Sequence, residues 1–509
     1  MASMSLNPDP RTADGAPHTE AAHADAARPN ATRPNAAGTE AVGNDAMRPS
    51  AAGSDAARPN EDGIDATGSD AARTKAVNAD APRADAARTS ATGSPDAART
   101  DAASTEAAAP DATTAAAIAE LTPELIDFRR DIHAHPELSF QEFATTDKLA
   151  ARLEAAGLTP RRLEGSGLVC DVGEGPIALA LRADIDALPI DDLIAEDFAS
   201  TVPGVAHACG HDVHLTGLLG AGIALQRAHE TTPGGLGGRV RLIFQPGEEV
   251  TPGGALRVIS QGALDDVPEI YAVHCDPNVD VGRIGSRIGA ITAAGDTVII
   301  RLTGHGGHTS RPHLTEDLVY ALGKLATDLP STLGRLIDPR HAISLVWGEI
   351  SAGHAANVVP SEGILRGTLR CLDVDGWNQV AEVLPELVER IAGPYGVKVD
   401  LEHRRGVPPV VNTEDQVALI ESAVRTELGE NSVQLTPQSM GGEDFAWYLT
   451  HCPGALVRMG TRTPGGITYD IHQGDLLIDE GSVPIAARIF TATALKVLDG
   501  RREALQLAG

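Results

Sequence analysis

The chain of 509 residues is long enough for two or three domains and a large hydrophobic core. Its formal net charge of -29 argues against nucleic acids and anionic membranes as partners. No apolar run approaches the roughly 20 residues of a membrane span, and the N-terminus lacks the apolar core of a secretory signal.

The cysteine content favours a reducing compartment. The chain has five cysteines, an odd number, and no two of them lie close together in the sequence. This pattern argues against a disulfide framework. We therefore expect a cytoplasmic protein.

The segment 1–114 differs in composition from the rest of the chain. Alanine, aspartate, arginine, threonine, glycine and proline dominate it, with almost no branched aliphatic or aromatic residues. The tetrapeptide Asp-Ala-Ala-Arg recurs, starting at Asp25, Asp55, Asp70, Asp85 and Asp96. These units have no apolar face with which to stack as a repeat domain. Because such a segment cannot bury enough apolar surface to offset its chain entropy, the sequence predicts a disordered low-complexity tail.

Two helices are predicted where the ordered chain begins, near residue 115. Apolar residues follow helical spacing over Leu121–Ile132, and a second helix is predicted over Gln141–Ala156. His133 and His135 lie between the two, and Pro136 disfavours helix at the residue before it. We interpret both histidines as structural residues or as residues at the rim of a site.

A buried strand is predicted from Ile177, and it leads to Asp184 and Asp186. In an open α/β sheet, ligands bind at the carboxyl ends of the strands. Asp184 is therefore a candidate to hold a metal-binding histidine through the other ring nitrogen of that histidine. For both aspartates, capping of the loop after the strand is the alternative.

The densest group of metal-binding side chains runs from His207 to His214 and reads His-Ala-Cys-Gly-His-Asp-Val-His. Gly210 allows a turn tight enough for the thiolate of Cys209 and the imidazole of His211 to converge on one ion. The apolar segment Leu215–Leu225 behind them predicts a buried helix. A buried cysteine beside surface histidines is the alternative, and the density of ligands argues against it.

Two further predicted strands lead to residues of the same chemical type. The run Arg239–Phe244 precedes Glu248 and Glu249, and the run Glu269–Val273 precedes His274. Adjacent glutamates at a strand end point in different directions, so one would bind a metal ion while the other faces the bound water. Two glutamates alone would be typical of a solvated turn. Their place beside strands that lead to the other candidate ligands favours a metal ligand and an acid/base group.

Between residues 295 and 405 the predicted order is strand, helix, strand, strand, helix, strand. This βαββαβ order is typical of a ferredoxin-like domain, here inserted into a larger α/β domain with a mixed sheet, formed by residues 115–294 and 406–509. The glycine-rich segment Gly304–Thr309 follows the first strand of the insert and lets His308 reach far from its own domain.

Five motifs occur in sequence order after residue 115: Arg-Ala-Asp-Ile-Asp-Ala-Leu-Pro, His-Ala-Cys-Gly-His-Asp, Gln-Pro-x-Glu-Glu, Gly-x-x-Gly-His and Asn-Val-Val-Pro. The series resembles that of the carboxypeptidase-G-like co-catalytic metallopeptidases, and within them the aminoacylase branch with hippurate hydrolases and auxin-conjugate hydrolases. The resemblance implies a metallopeptidase catalytic domain with the insert as a dimerisation or lid domain.

The resemblance also implies roles for individual residues. Two divalent ions (Zn, Mn or Co) would be bound by Cys209, His211, Glu249, His274 and His472. Glu248 would be the general base, and we count Asp184 with it as a catalytic residue. His308 would be supplied across a homodimer interface to stabilise the oxyanion, and Asn357 and Arg370 would recognise the carboxylate of the substrate.

These roles imply hydrolysis of small-molecule N-acyl amino acids by a homodimer, with a tetramer as the alternative assembly. A dipeptidase or carboxypeptidase that uses the same site is a second hypothesis, and a non-catalytic metal- or ligand-binding homologue is a third. The presence of Glu248 and His308 argues against the third. The sequence departs from the branch at Val213, where glycine is usual, and at Gly247, where alanine is usual, which leaves substrate preference open.

Overall fold

The computed structural model describes residues 110–508. The segment 1–114, for which the sequence predicts a disordered tail, lies outside the described residues except for its last five. Those five residues form the start of the first helix, which begins at Pro110 rather than near residue 115. For residues 1–109 the disordered tail stays a prediction.

Helices and strands alternate along the first part of the described chain. They are α1 (Pro110–Ala134), α2 (Phe143–Ala155), β1 (Arg161–Arg162), β2 (Leu168–Gly173), β3 (Ile177–Asp184), α3 (His211–Thr231), β4 (Arg239–Gln245), α4 (Ala255–Ser260), β5 (Ile270–Asp280), β6 (Ile284–Ser286) and β7 (Gly289–Ala290).

The remaining elements belong to the insert and to the C-terminal part of the chain. The insert contains β8 (Ala294–Thr303), β9 (Gly307–His308), α5 (Leu318–Leu336), β10 (Ser344–Ala352), β11 (Val358–Val359), β12 (Glu362–Cys371), α6 (Val374–Ala392) and β13 (Lys398–Val407). The C-terminal part contains β14 (Val411–Asn412), α7 (Glu414–Leu428), β15 (Val433–Leu435), α8 (Ala446–Leu449), β16 (Gly454–Arg462) and α9 (Ser482–Ala508).

Eight strands from both ends of the chain form one mixed sheet in the order β1-β2-β4-β3-β5-β16-β6-β15. The central strands β4, β3, β5 and β16 run parallel to one another, and antiparallel pairs flank them. Every residue of β3 is buried, which explains its continuous apolar run. Helix α3 packs against α1 and α9. The mixed α/β architecture predicted from the sequence is confirmed.

The insert has a sheet and a hydrophobic cluster of its own. Its main strands pair antiparallel in the order β10-β12-β8-β13. Apolar side chains of α5 and α6 pack against this sheet. The sequence of these main elements along the chain is strand, helix, strand, strand, helix, strand, in the predicted order.

All five cysteines are buried, and none of them is paired in a disulfide. Among the described helices, none combines the length and the apolar character needed to cross a bilayer. The cytoplasmic location stays a prediction.

The packing of α3 against α9 predicts opposite effects of one substitution at two helical glycines. A Cβ at Gly217 in α3 would lie 2.4 Å from the Cβ of Ala486 in α9, whereas a Cβ at Gly323 in α5 would meet no atom within 4 Å. We expect Gly217→Ala to destabilise the protein by about 1–3 kcal/mol through overpacking. We expect Gly323→Ala to be neutral or to stabilise by up to about 1 kcal/mol, because alanine favours helix. Thermal unfolding of both variants checks this difference, and a melting temperature of Gly217→Ala at or above that of the natural protein would contradict it.

Candidate metal centre and active site

Three parallel strands direct polar side chains toward one edge of the large sheet. Strand β3 ends at Asp184, β4 is followed by Glu248 and Glu249, and β5 carries His274. Because the strands are parallel, their carboxyl ends meet at the same edge, which is where α/β sheets bind ligands.

The five predicted metal ligands come together at this edge from four separate segments of the chain. Ligand atoms of Cys209, His211 and His274 all lie within 4.8 Å of one another, and so do those of Cys209, Glu249 and His472. The Cys209 Sγ lies 3.5 Å from the His274 Nε2, and the Glu249 Oε1 lies 3.4 Å from the His472 Nε2. Both groups contain Cys209, so its sulfur is the point at which they meet.

Two buried atoms of this set have no hydrogen-bond partner within residues 110–508. They are the Nε2 of His211 and the Oε1 of Glu249, which lie 3.7 Å apart. A buried polar atom without a partner costs about 1–3 kcal/mol, and a divalent ion would satisfy both atoms at once. Thiolate, imidazole and carboxylate are the donors that zinc, manganese and cobalt accept. The side chains therefore fit a metal centre.

The two buried histidines of the first group are oriented by backbone carbonyls. The Nδ1 of His211 lies 3.0 Å from the carbonyl oxygen of Asp186, and the Nδ1 of His274 lies 2.7 Å from that of Cys275. A carbonyl only accepts, so each Nδ1 carries a proton, and each Nε2 is the ring atom on the side of the other candidate ligands. Burial lowers the pKa of His274 well below its usual value, and Arg458 adds to this effect. His274 is thus neutral at pH 7, as a metal ligand must be.

Gly210 makes the turn that directs Cys209 into the site. Its φ of 89° is left-handed, and a Cβ at this position would lie 2.9 Å from the Sγ of Cys275, so glycine is required here. Burial raises the pKa of the Cys209 thiol well above its usual value. The thiolate form therefore needs a cation beside it.

His472 is held in a strained backbone conformation. Its φ is 62°, in the left-handed region that residues other than glycine rarely adopt. Its N–H donates to the carbonyl oxygen of Ala208 at 2.6 Å, which ties the loop after β16 to the residue beside Cys209. Strain of this kind persists where the surroundings fix it, most often at functional sites.

Glu248 lies beside the five ligands without belonging to either thiol-containing group. Its Oε2 is 3.9 Å from the Nε2 of His211. Burial raises the pKa of the Glu248 carboxyl well above its usual value, and the carboxylates of Glu443 and Glu249 raise it further. A carboxyl group with a raised pKa is suited to take up and give back a proton near neutral pH.

A buried arginine next to this cluster was not identified as a site residue from the sequence. The guanidinium of Arg182 lies 2.7 Å from an oxygen of Asp184, 2.7 Å from one of Asp444 and 3.2 Å from one of Glu443. Burial alone would lower the pKa of Arg182, but these carboxylates raise it well above its usual value. The alternation of side chains along a strand could have identified Arg182. Residues two apart, such as Arg182 and Asp184, point to the same face.

Asp184 hydrogen-bonds to His214, which is not one of the five candidate metal ligands, and its other carboxylate oxygen lies 3.8 Å from the Nε2 of His211. Its Oδ1 accepts from the Nδ1 of His214 at 2.6 Å, and the Nε2 of His214 accepts from the N–H of Cys275. Both ring nitrogens of His214 are therefore occupied. Asp186 also lies beside His211, with a carboxylate oxygen 3.3 Å from the Nδ1. The role of Asp184 in holding a metal-binding histidine stays a prediction.

His133 has the contacts of a structural residue, which is one of the two roles predicted for it from the sequence. Its Nδ1 lies 2.8 Å from a carboxylate oxygen of Asp212, and the same oxygen lies 2.7 Å from the Nε of Arg129. His135 is exposed at the surface. Among the described residues, neither histidine belongs to a group of potential metal ligands.

Of the three site residues predicted on the insert, Arg370 alone lines the cavity above the metal centre of its own chain. This cavity has a volume of about 490 Å³ and is also lined by Glu248 and His472. His308 and Asn357 are exposed and lie side by side, since the N–H of Thr309 donates to the carbonyl oxygen of Asn357 at 3.1 Å. Within one chain, they are close to each other but do not line the cavity.

Gly247 is one of the departures from the aminoacylase branch, and local packing explains why glycine occupies this position. Its φ is 69°, and a Cβ there would lie 2.5 Å from the ring of Phe140. Its N–H donates to Glu142 at 2.8 Å. In this chain alanine at position 247 would require the Phe140 ring to move. Val213 is fully buried in α3.

Comparison with protein families gives a match over most of the described chain. The profile of peptidase family M20/M25/M40 matches residues 180–496.

Individual relatives agree with this match. A protein of Rhodococcus jostii (strain RHA1), "Putative glutamate–cysteine ligase 2-3", is 45% identical over 371 residues, which are 72% of this chain and 46% of that protein. The chain therefore spans less than half the length of that relative. The N-acetyl-L-cysteine deacetylase of Bacillus subtilis (strain 168) is 34% identical over 76% of this chain and 91% of its own. A crystal structure of a Bacillus subtilis protein described as a dinuclear metal binding peptidase from the M20 family is 32% identical, with a TM-score of 0.64 over 75% of this chain and 99% of its own.

The buried ion-pair network predicts a large effect of Arg182→Met on stability. The substitution would leave Asp184, Glu443 and Asp444 buried without their cation, so we expect a loss of about 3–5 kcal/mol. The control is Arg390→Met, which removes an exposed pair with Glu386 on α6 and is expected to cost less than about 1 kcal/mol. Urea unfolding curves of the two variants provide the measurement, and equal midpoints would contradict the role given to Arg182.

Proposed function

The chain belongs to peptidase family M20/M25/M40, and on this premise we propose that it is a metal-dependent amidohydrolase that cleaves N-acyl amino acids. The products are a carboxylic acid and a free amino acid. One observation carries the proposal, the convergence of five ligand side chains and a free glutamate at a single cavity. The likeness to an N-acetyl-L-cysteine deacetylase supports an N-acyl amino acid as the substrate class.

We assign the binding of two divalent ions to Cys209, His211, Glu249, His274 and His472. The likeness to a dinuclear metal binding peptidase supports the number of ions. When bound, such ions polarise the amide carbonyl and lower the pKa of a water molecule toward about 7. The mixture of sulfur, nitrogen and oxygen donors suits zinc, and manganese and cobalt also accept these ligands.

Glu248 moves the proton in the proposed reaction. Its carboxylate takes one proton from the attacking water, whose oxygen forms a bond to the acyl carbon. As the bond from carbon to nitrogen breaks, the carboxyl group returns that proton to the leaving nitrogen. Its place beside the ligand cluster and its raised pKa support this role.

Arg370 binds the α-carboxylate of the substrate in this proposal. Its planar guanidinium matches a carboxylate in two parallel hydrogen bonds. Arg370 lies on strand β12 of the insert and lines the cavity together with Cys209 and Glu248, so the insert would contribute to recognition and the large sheet to chemistry. Asn357 is assigned to the same carboxylate.

We further propose that the insert is a ferredoxin-like lid and dimerisation domain that supplies His308 to the partner subunit. His308 and Asn357 are exposed, adjacent and outside the cavity of their own chain, as residues that complete a partner's site would be. Placed at the partner's site, the His308 imidazole would donate to the oxyanion of the tetrahedral intermediate. The assembly is then a homodimer, or a tetramer of such dimers.

The proton-transfer role predicts a selective loss of activity in Glu248→Gln. We expect turnover of N-acyl amino acids to fall about 100- to 10,000-fold, because the amide can no longer take up a proton. Metal content should be retained, since Glu248 is not one of the five assigned ligands. The control is Glu174→Gln at an exposed position, which should leave turnover unchanged.

Rates on an amide panel and elemental analysis of the purified variants give the readouts. Unchanged turnover in Glu248→Gln would reject the assigned role. Faster cleavage of dipeptides than of N-acyl amino acids would replace the proposal with a dipeptidase or carboxypeptidase. Protein that holds two ions and cleaves no amide would favour the non-catalytic alternative.

Subunit mixing tests the role of His308. The variants His308→Ala and Glu248→Gln should each be inactive as pure dimers. A mixed dimer of the two contains one site with an intact Glu248 and an intact His308, provided that His308 acts in the partner subunit. We therefore expect activity to return when differently tagged subunits are co-expressed and the mixed dimer is isolated. A mixed dimer as inactive as its parents, or a fully active monomer, would contradict the shared site.

A further inference from the structure

We propose that Arg458 binds a second carboxylate of the substrate, so that the preferred substrates are N-acyl amino acids with two carboxylates. The inference rests on the proposed hydrolase function and narrows its substrate class. It follows from the position of Arg458, from the lack of a partner for its guanidinium and from the charges that surround the cavity.

Arg458 occupies a position in the sheet that turns it toward the metal centre. It lies on β16 in parallel register with His274 on β5. Residues in register on neighbouring strands point to the same face of a sheet, so Arg458 shares the face of His274. Its chain neighbours Val457 and Met459 are buried in the core on the other face. Arg458 thus lines the same cavity as Glu248 and Arg370.

The protein itself provides no anion for this guanidinium. Within residues 110–508, neither Arg458 nor Arg370 takes part in an ion pair or in a side-chain hydrogen bond, although both are only partly exposed. Two other arginines of the large sheet differ in this respect. Arg182 on β3 and Arg241 on β4 are both paired with carboxylates. Because a partly buried cation without a partner is unfavourable, two such cations in one cavity indicate a ligand with matching charges.

Apart from Glu248, the proposed base, the carboxylates that line the cavity already have partners elsewhere. Asp444 faces Arg182, at 2.7 Å. Asp296 accepts from the Nε2 of His403 at 2.7 Å. Glu249 belongs to the ligand cluster. Among the described residues, no acid that lines the cavity lies within ion-pair distance of Arg458, and bound divalent ions would occupy the negative charge of the ligand cluster.

The chemistry of the cavity matches a dicarboxylate. Each guanidinium presents a planar pair of donors, which a carboxylate fills with two hydrogen bonds. A substrate with one carboxylate would fill Arg370 and leave Arg458 unpaired. The volume of about 490 Å³ lies in the range of sites for small ligands and has room for an acylated amino acid with a second acidic group. That group would be either on the amino-acid side chain or at the far end of the acyl chain.

Arg458 also has an effect on His274, and the test separates the two roles. A cation beside His274 favours the neutral imidazole. If this were its whole role, its removal would weaken metal binding and slow all substrates by the same factor. Recognition of a second carboxylate predicts a change in the ratio between substrates at constant metal content.

The experiment compares three substrates and three variants with equal metal loading. The substrates are N-acetylalanine with one carboxylate, N-acetylglutamate with a second on the side chain, and N-succinylalanine with a second on the acyl chain. The variants are Arg458→Met, Arg458→Lys, which keeps the charge and guards against loss through misfolding, and the control Arg283→Met at an exposed position. The values of kcat and KM and the metal content are measured for each.

We expect the natural protein to prefer one of the two dicarboxylates, and that preference identifies the location of the second group. Arg458→Met should lower kcat/KM for the preferred dicarboxylate about 10- to 100-fold, mainly through KM, with little change for N-acetylalanine. Arg458→Lys should retain part of the preference, and Arg283→Met all of it.

Two results would overturn the inference while leaving the hydrolase function intact. One is turnover of N-acetylalanine by the natural protein that is equal to or faster than turnover of both dicarboxylates. The other is an equal loss on all three substrates in Arg458→Met. Failure of the metal-loaded natural protein to cleave any of the three would instead contradict the proposed function itself.

Discussion

The site depends on positive charge placed against a dense group of buried acids at the carboxyl ends of parallel strands. On one side, the Arg182 guanidinium faces Asp184, Glu443 and Asp444. Burial still raises the pKa of Asp444 to about 7 in spite of that cation. On the cavity side, Cys209 and Glu248 have pKa values raised by burial, so the protein alone does not support negative charge there. Bound divalent cations would supply the positive charge that is missing beside Cys209 and Glu248.

The two sheets contribute different side chains to the cavity. The large sheet fixes the ligands from strand ends and from the start of a helix that is buried over most of its length. The insert contributes Arg370 from β12, on a separate sheet with a separate hydrophobic cluster. Because the proposed ligands and Arg370 lie on different hydrophobic cores, a shift of the insert would move Arg370 without moving the proposed ligands.

The proximity of the five candidate ligands could be predicted from the sequence because the elements that carry them have strong local patterns. The apolar run at Ile177 and the Cys-x-His pair at Cys209 are short-range features, and the parallel sheet then requires strand ends to meet. What the sequence could not predict depends on three-dimensional detail. Asp186 contacts His211 from a position after the end of β3, where side-chain alternation along a strand no longer applies. The left-handed conformation of His472, with φ of 62°, could not be predicted from the sequence, because histidine normally avoids that region.

The central claim is that Cys209 joins two metal-binding groups at one centre, and anomalous X-ray diffraction from crystals grown with the native metal tests it directly. Data collected on both sides of the absorption edge of the metal locate each ion without reference to the protein. We predict two peaks per subunit, both next to ligand atoms of the set Cys209, His211, Glu249, His274 and His472. A single peak, or two peaks of which neither contacts Cys209, would contradict the account.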